Sequence, residues 1–128
     1  MNSADQRFPK NRRLLKHADF ERVYKRGKRH FASHMTVFYL RRESEPGVGN
    51  LRIGFTVGKA LGGAVQRNRM KRRLREAVRL NGLNADVAAD VVINPKRSLL
   101  SAEFRAVQAE IGAAFRAIER SIGKSRRS

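Results

Sequence analysis

Guanidinium groups pair with phosphates, and between Arg67 and Arg79 this chain carries seven cations (Arg67, Arg69, Lys71, Arg72, Arg73, Arg75 and Arg79) against one anion, Glu76. Arg predominates, and its planar fork matches phosphate oxygens two at a time. The spacing separates this run from a disordered basic tail. Met70, Leu74, Ala77 and Val78 fall at i, i+4, i+7 and i+8, a stripe that one side of a helix can bury. At about 100° per residue, Asn68, Arg72, Arg75 and Arg79 fall on the opposite side, with Arg69, Lys71 and Arg73 flanking them. A solvated helix face is the plain alternative for any charge run, but such faces mix signs. This one is nearly all positive, so it reads as a rigid polyanion-binding row. The loop that feeds it, Gly58 to Ala64, is glycine-rich, and its N–H groups together with the helix N-terminus could hold a phosphate. The Gly-x4-Gly-Lys-Ser/Thr spacing of a nucleotide-hydrolysing loop is missing.

The remaining chemistry is thin. A protein nuclease needs convergent carboxylates for Mg²⁺ or groups that move protons. The eleven acids are scattered, and the nearest pairs (Asp19/Glu21, Glu43/Glu45, Asp86/Asp90) are expected in turns or at element ends with nothing to desolvate them. His17, His30 and His34 read as surface or RNA-contacting residues. The His30/His34 spacing would serve a metal on a helix, but a strand begins there. No metal site is expected. The chain reads as a binder rather than a self-sufficient catalyst.

Composition points the same way. At 128 residues the chain fits one domain, with 41% hydrophobic residues for a modest core. Twenty-nine Lys and Arg against eleven Asp and Glu leave 29 − 11 = +18, with an isoelectric point near 11.7. Such an excess favours a polyanionic partner. Nucleic acid is preferred over an anionic membrane, because membrane-bound basic helices carry a larger apolar face than the one here. There is no cysteine, no apolar run of spanning length, and no secretory apolar core in Met1 to Arg13. A cytoplasmic protein is expected.

The elements that must position the basic row follow from pattern. Met1 to Arg12 reads as a mobile arm. His17 to Arg26 can form a short helix, stopped by Gly27, with Phe20, Val23 and Tyr24 on one side. Val23 reads as core, whereas Phe20 and Tyr24, edged by Arg22, Lys25 and Arg26, could stack on bases. Phe31 to Arg41 reads as a strand that can bend to conceal a further one, and Leu51 to Val57 as a half-buried strand. The link at Glu43–Asn50 suggests an antiparallel hairpin between them. Thr36, Phe38 and Leu40 share one face, Val37 and Tyr39 the other. Gly82 ends the basic helix. Asp90 to Asn94 is apolar enough to be central in the sheet, and Pro95 stops it. Phe104, Val107, Ile111, Ala114, Phe115, Ile118 and Ile122 trace a long core helix, with Ser98 or Ser101 as its cap and Gly123 as its end. Residues 124–128 read as a mobile tail. The fold class is α+β, with helices on one face of a small sheet.

Arg67-Asn68-Arg69-Met70-Lys71-Arg72, preceded by Gly58-Lys59-Ala60-Leu61-Gly62-Gly63-Ala64-Val65, resembles the signature of the bacterial ribonuclease P protein subunit. Arg13-Leu14, Asp19 to Gly27 and Arg52 to Val57 agree with it, so the resemblance spans about residues 7 to 120. Tyr24 stands where the family often has Phe, and the tail is this chain's own. The resemblance implies a ribosomal-protein-S5-like α+β fold (small mixed sheet, left-handed β-α-β crossover through the basic helix) as a single domain with its core at about 7–122. It implies an endoribonuclease made of protein and RNA, which removes the 5′ leader from precursor tRNA and whose RNA subunit carries the catalytic Mg²⁺. By motif position it assigns Arg13, Lys59, Arg67, Asn68, Arg69, Lys71, Arg72 and Arg75 to RNA binding, and Phe20, Tyr24 and Phe38 to a leader-binding cleft. The implied partners are the catalytic RNA and precursor tRNA, with one protein monomer per RNA and no membrane. A structural ribosomal RNA-binding protein is the alternative that charge and fold also suit.

Overall fold

The computed structural model describes residues 16–43, 50–82 and 87–127. Arg13, the arm 1–12 and most of the Glu43–Asn50 turn lie outside the described residues. The elements run α1 (His17–Arg26), β1 (Lys28–Phe31), β2 (Met35–Arg41), β3 (Leu51–Phe55), α2 (Ala64–Asn81), β4 (Ala89–Pro95) and α3 (Phe104–Arg127), with 3-10 turns at Lys59–Leu61 and Arg97–Leu100. The class is α+β, and its four-stranded mixed sheet is consistent with an S5-like domain.

The helix α1 stops where expected, at Gly27, whose N–H donates to the Val23 carbonyl at 2.8 Å. A glycine is needed there because a Cβ would lie 2.5 Å from the carbonyl oxygens of both Val23 and Tyr39. The Phe31–Arg41 stretch is two strands: the chain turns at Ala32–His34, where Ala32 N–H donates to the Met35 carbonyl. The hairpin of the structure is therefore β1–β2, not the expected pairing of β2 with the Leu51 strand. The sheet order is β1-β2-β4-β3, so β4 lies between those two, antiparallel to β2 and parallel to β3. The cause is the composition of β4. Six of its seven residues, all but Asn94, are buried, and a strand apolar on both faces is stable only in the middle, with cover above and below.

The two faces carry different loads. Met35, Val37, Tyr39, Leu51, Ile53, Ala89, Val91 and Ile93 join the buried stripes of α2 and α3 in one core. Met70, Leu74, Ala77 and Val78 of α2 are all fully buried, as their spacing requires, and each large side chain contributes about 1.5–3 kcal/mol by leaving water. The expectation of helices on one face is corrected: α1 packs across β2 and β4 on the opposite face, with Val23 buried beneath it. The β3–α2–β4 unit joins two parallel neighbours through the basic helix.

Two caps differ from expectation. The helix α3 runs through Gly123 to Arg127, and Gly123 faces open space. Ser98 and Ser101 do not cap it: Ser98 Oγ lies 2.8 Å from His34 Nδ1, and Ser101 Oγ donates to the Ser98 carbonyl.

Asp90 is the largest departure. Expected to be solvated at an element end, its side chain is only 2% exposed. Arg52 grips it through two bonds, Nε to Oδ1 at 2.8 Å and Nη2 to Oδ2 at 2.9 Å. Arg42 adds a third at 3.0 Å, and Arg22 of α1 reaches within 3.9 Å. The bond to Asp90 raises the Arg52 pKa further above its ordinary value, while burial works against it. Removing one member of a buried charge cluster strands the others. Asp90→Ala should therefore lower unfolding free energy by about 3–5 kcal/mol, read as a fall in the denaturant midpoint. A midpoint within experimental error of the parent would show that solvent, not the carboxylate, satisfies these arginines.

Candidate nucleic-acid interface

The helix α2 sorts its cations by the face on which the helix period puts them. Asn68, Arg69, Arg72 and Arg75 are exposed and Lys71 is half-buried; Lys59, on the 3-10 turn before the helix, is exposed. No side-chain hydrogen bond or ion pair to another described residue engages any of these six, so their donors point to solvent. Arg67 is half-buried, and its Nε is buried without a hydrogen-bond partner. A row of unpaired guanidinium groups on a packed helix suits phosphates, because the helix fixes the spacing of the side-chain stems.

Two cations of the run are used by the fold. Arg73 donates to the carbonyls of Leu99 (2.6 Å), Leu100 (3.1 Å) and Ala102 (2.5 Å), tying α2 to the segment that leads into α3. Arg79 pairs with Glu76 through two bonds of 2.9 and 2.6 Å on the exposed surface. That hydrogen bond holds the Glu76 carboxyl below its ordinary range. The glycine loop is held in turn: Leu61 and Gly62 N–H close a 3-10 turn onto Gly58 and Lys59, and Arg97 donates to the Ala60 carbonyl at 2.7 Å. Gly62 takes a positive φ of 139°, a conformation that disfavours any side chain. Those two N–H groups are thus not available to a ligand. The first N–H groups of α2 are left without a side-chain cap, beside an N-terminal turn with no acidic residue.

On the other face of the sheet, α1 sets aromatic groups against β2. The Tyr24 ring meets Phe38 edge-on, with centroids 4.9 Å apart and planes at 89°. The Tyr24 hydroxyl lies 2.6 Å from Thr56 Oγ1 and donates to Asn94 Oδ1 at 3.0 Å, which fixes the ring against β4 and the residue that follows β3. Phe20 sits one helical turn before Tyr24 and is half-buried. Phe38 itself is half-buried, and the Arg29 guanidinium lies over its ring at 5.3 Å from the centroid. Sequence reasoning did not find Arg29, because the polar run Lys28-Arg29-His30-Phe31 carries no strand signal. Only its pairing with β2 makes it a strand and places Arg29 opposite Phe38.

The described acids and histidines are largely taken up by structural contacts. Asp19 pairs with Arg22 and Asp90 with three arginines. Glu110 accepts the His34 backbone N–H at 3.0 Å, and Glu76 holds Arg79. His34, expected at the surface or on RNA, instead knits the β1–β2 turn to Ser98 and α3. Among the described residues no group of three His, Asp or Glu is placed to hold a metal ion, and Asp19, Glu76 and Asp90, already facing guanidinium groups, do not fit Mg²⁺. No helix among the described residues is long and apolar enough to cross a membrane.

The family model for ribonuclease P matches residues 8–119. The ribonuclease P protein component of Syntrophus aciditrophicus is 37% identical over 103 residues, covering 80% of this chain and 83% of the relative. That of Maridesulfovibrio salexigens is 40% identical over 92 residues, covering 72% and 73%. The solved RNase P protein of Thermotoga maritima superposes with a TM-score of 0.68 at 26% identity, covering 84% of this chain and 97% of that one. A packed arginine row, an aromatic face across the sheet and a family match over most of the length lead to one conclusion: the chain belongs to the ribonuclease P protein family.

Proposed function

We propose that this protein is the RNA-binding subunit of a ribonuclease P holoenzyme, whose RNA subunit carries the catalytic Mg²⁺ and removes the 5′ leader of precursor tRNA. The observation that carries the reading is the unpaired row of Asn68, Arg69, Lys71, Arg72 and Arg75, held on a helix whose other side is fully buried, with Lys59 unpaired on the turn before it. With Arg67, and Arg13 from outside the described residues, this row binds the phosphates of the catalytic RNA. Phosphate contacts give strength and salt sensitivity without sequence preference. Phe20, Tyr24 and Phe38 bind the single-stranded leader. Aromatic faces tolerate any base, which suits a subunit that meets many leaders. The protein supplies no catalytic group. It neutralises phosphates, and so lets the RNA fold and keep Mg²⁺ at low ionic strength. One monomer serves one RNA, in the cytoplasm.

Cleavage of precursor tRNA by the RNA subunit at low Mg²⁺, with and without this chain, tests the proposal. The chain should raise kcat/KM for precursor tRNA, and an unchanged rate would refute the reading. Stoichiometric co-sedimentation with ribosomal subunits would favour a structural ribosomal role instead.

The two kinds of arginine on α2 give a sharper test. Arg72→Ala should weaken binding to the RNA subunit and reduce the salt slope by about 1 while leaving thermal stability alone. Arg73→Ala should lower the melting temperature, because three carbonyls lose their donor. In the aromatic set, Phe20→Ala should weaken binding of leader-bearing precursor about tenfold, as when one base–aromatic stack is lost, and leave mature tRNA unaffected. Equal loss for both ligands would make Phe20 a core residue.

A further inference from the structure

Phe31 is 69% exposed, one of three exposed large apolar side chains among the described residues. A single exposed apolar residue is ordinary on a protein surface. The position of this one is not. Cross-strand partners share a face of the sheet. Phe31 pairs with Thr36 and Arg29 pairs with Phe38, so both lie on the face that carries Phe38. The helix α1 packs across β2 and β4, and β1, the edge strand, has no described helix packed closely over it. Lateral order on this face therefore runs from Thr56, just past β3, and Asn94 on β4, where Tyr24 is anchored, to Phe38 on β2, and then to Arg29 and Phe31 on β1. Diagonal neighbours on a sheet lie about 7–8 Å apart, a separation that an unstacked single strand covers between one base and the next. The cation over the ring supplies the matching charge: Arg29 lies beside Phe38, where a strand's phosphate would pass between the two aromatic groups.

We propose that Phe31 and Arg29 form an outer subsite for single-stranded RNA, in which Phe31 stacks on a leader base beyond the one at Phe38 and Arg29 pairs with the intervening phosphate. This rests on the leader reading above and extends it. The glycine loop and α2 follow directly from β3, the strand at the other edge of the sheet. A strand that leaves the basic helix and crosses the face meets Phe38 first and Phe31 afterwards.

The test is a series of precursors with leaders lengthened one nucleotide at a time, bound to the reconstituted ribonucleoprotein. Phe31→Ala should reduce affinity about tenfold, one stack's worth, and only for leaders longer than the shortest on which Phe38→Ala is felt. Phe31→Trp should retain affinity, and Phe31→Leu should behave like the alanine variant. Because Phe31 is exposed, these variants should fold as the parent does. Parent-like affinity of Phe31→Ala at every length overturns the subsite, as does equal loss for mature tRNA or full affinity in Phe31→Leu. Absence of any leader-dependent effect in Phe38→Ala, with the Phe31 effect intact, would instead overturn the cleft reading and leave the outer subsite standing.

Discussion

A single buried carboxylate sets the geometry on which the rest depends. Asp90 gathers Arg52 from β3, Arg42 from the end of β2 and Arg22 from α1 around one side chain. In a chain with eighteen positive charges in excess, these three cations would otherwise repel one another where three elements must meet. Arg42 also bonds the Ala89 carbonyl and Asn50, so the ends of β2, β3 and β4 share one clasp. The orientation of α1 follows from this clasp and from Val23, and the orientation of α1 puts Tyr24 against Phe38. The aromatic face is thus positioned by electrostatics at one end of the strands and by the Tyr24 hydroxyl at the other.

The other candidate surface rests on a different principle. The helix α2 is held by dispersion and burial, and its charges are left over from that task. Within one thirteen-residue run the same side-chain type does both jobs: Arg72 and Arg75 stay free, while Arg73 is consumed by three carbonyls before α3. Net charge therefore overstates what is offered to a partner, and the helix period decides which guanidinium groups count.

What was legible in the chain was local. The bounds of α1, its stop at Gly27, the buried stripe of α2 and the core stripe of α3 come from periodicity and chain chemistry within a few residues. Asn68, Arg69, Arg72 and Arg75 of the basic row face outward for the same reason, whereas Arg73, expected beside them, is taken by the carbonyls before α3. What escaped was non-local. The adjacency of β2 and β4 depends on residues some fifty positions apart, and no turn signal encodes it. Asp90 looked like a stray acid because Arg42 and Arg52 are distant in sequence. The strand β1 exists only as a partner of β2, so Arg29 was invisible as a neighbour of Phe38. His34 and Ser98 were misjudged together, since their bond joins two turns that the chain alone does not bring into contact.

The central position of β4 has a consequence for biosynthesis. Until Ala89–Pro95 has left the ribosome, the only paired strands available among the described residues are β1 and β2, and an isolated hairpin is marginal in water. Both candidate surfaces therefore form late and together, when one apolar strand slots between two waiting edges. A nascent chain cut off before that point would carry every arginine of α2 yet have no sheet on which to mount them. Its affinity for RNA would be that of an unstructured polycation, indiscriminate and easily stripped by salt.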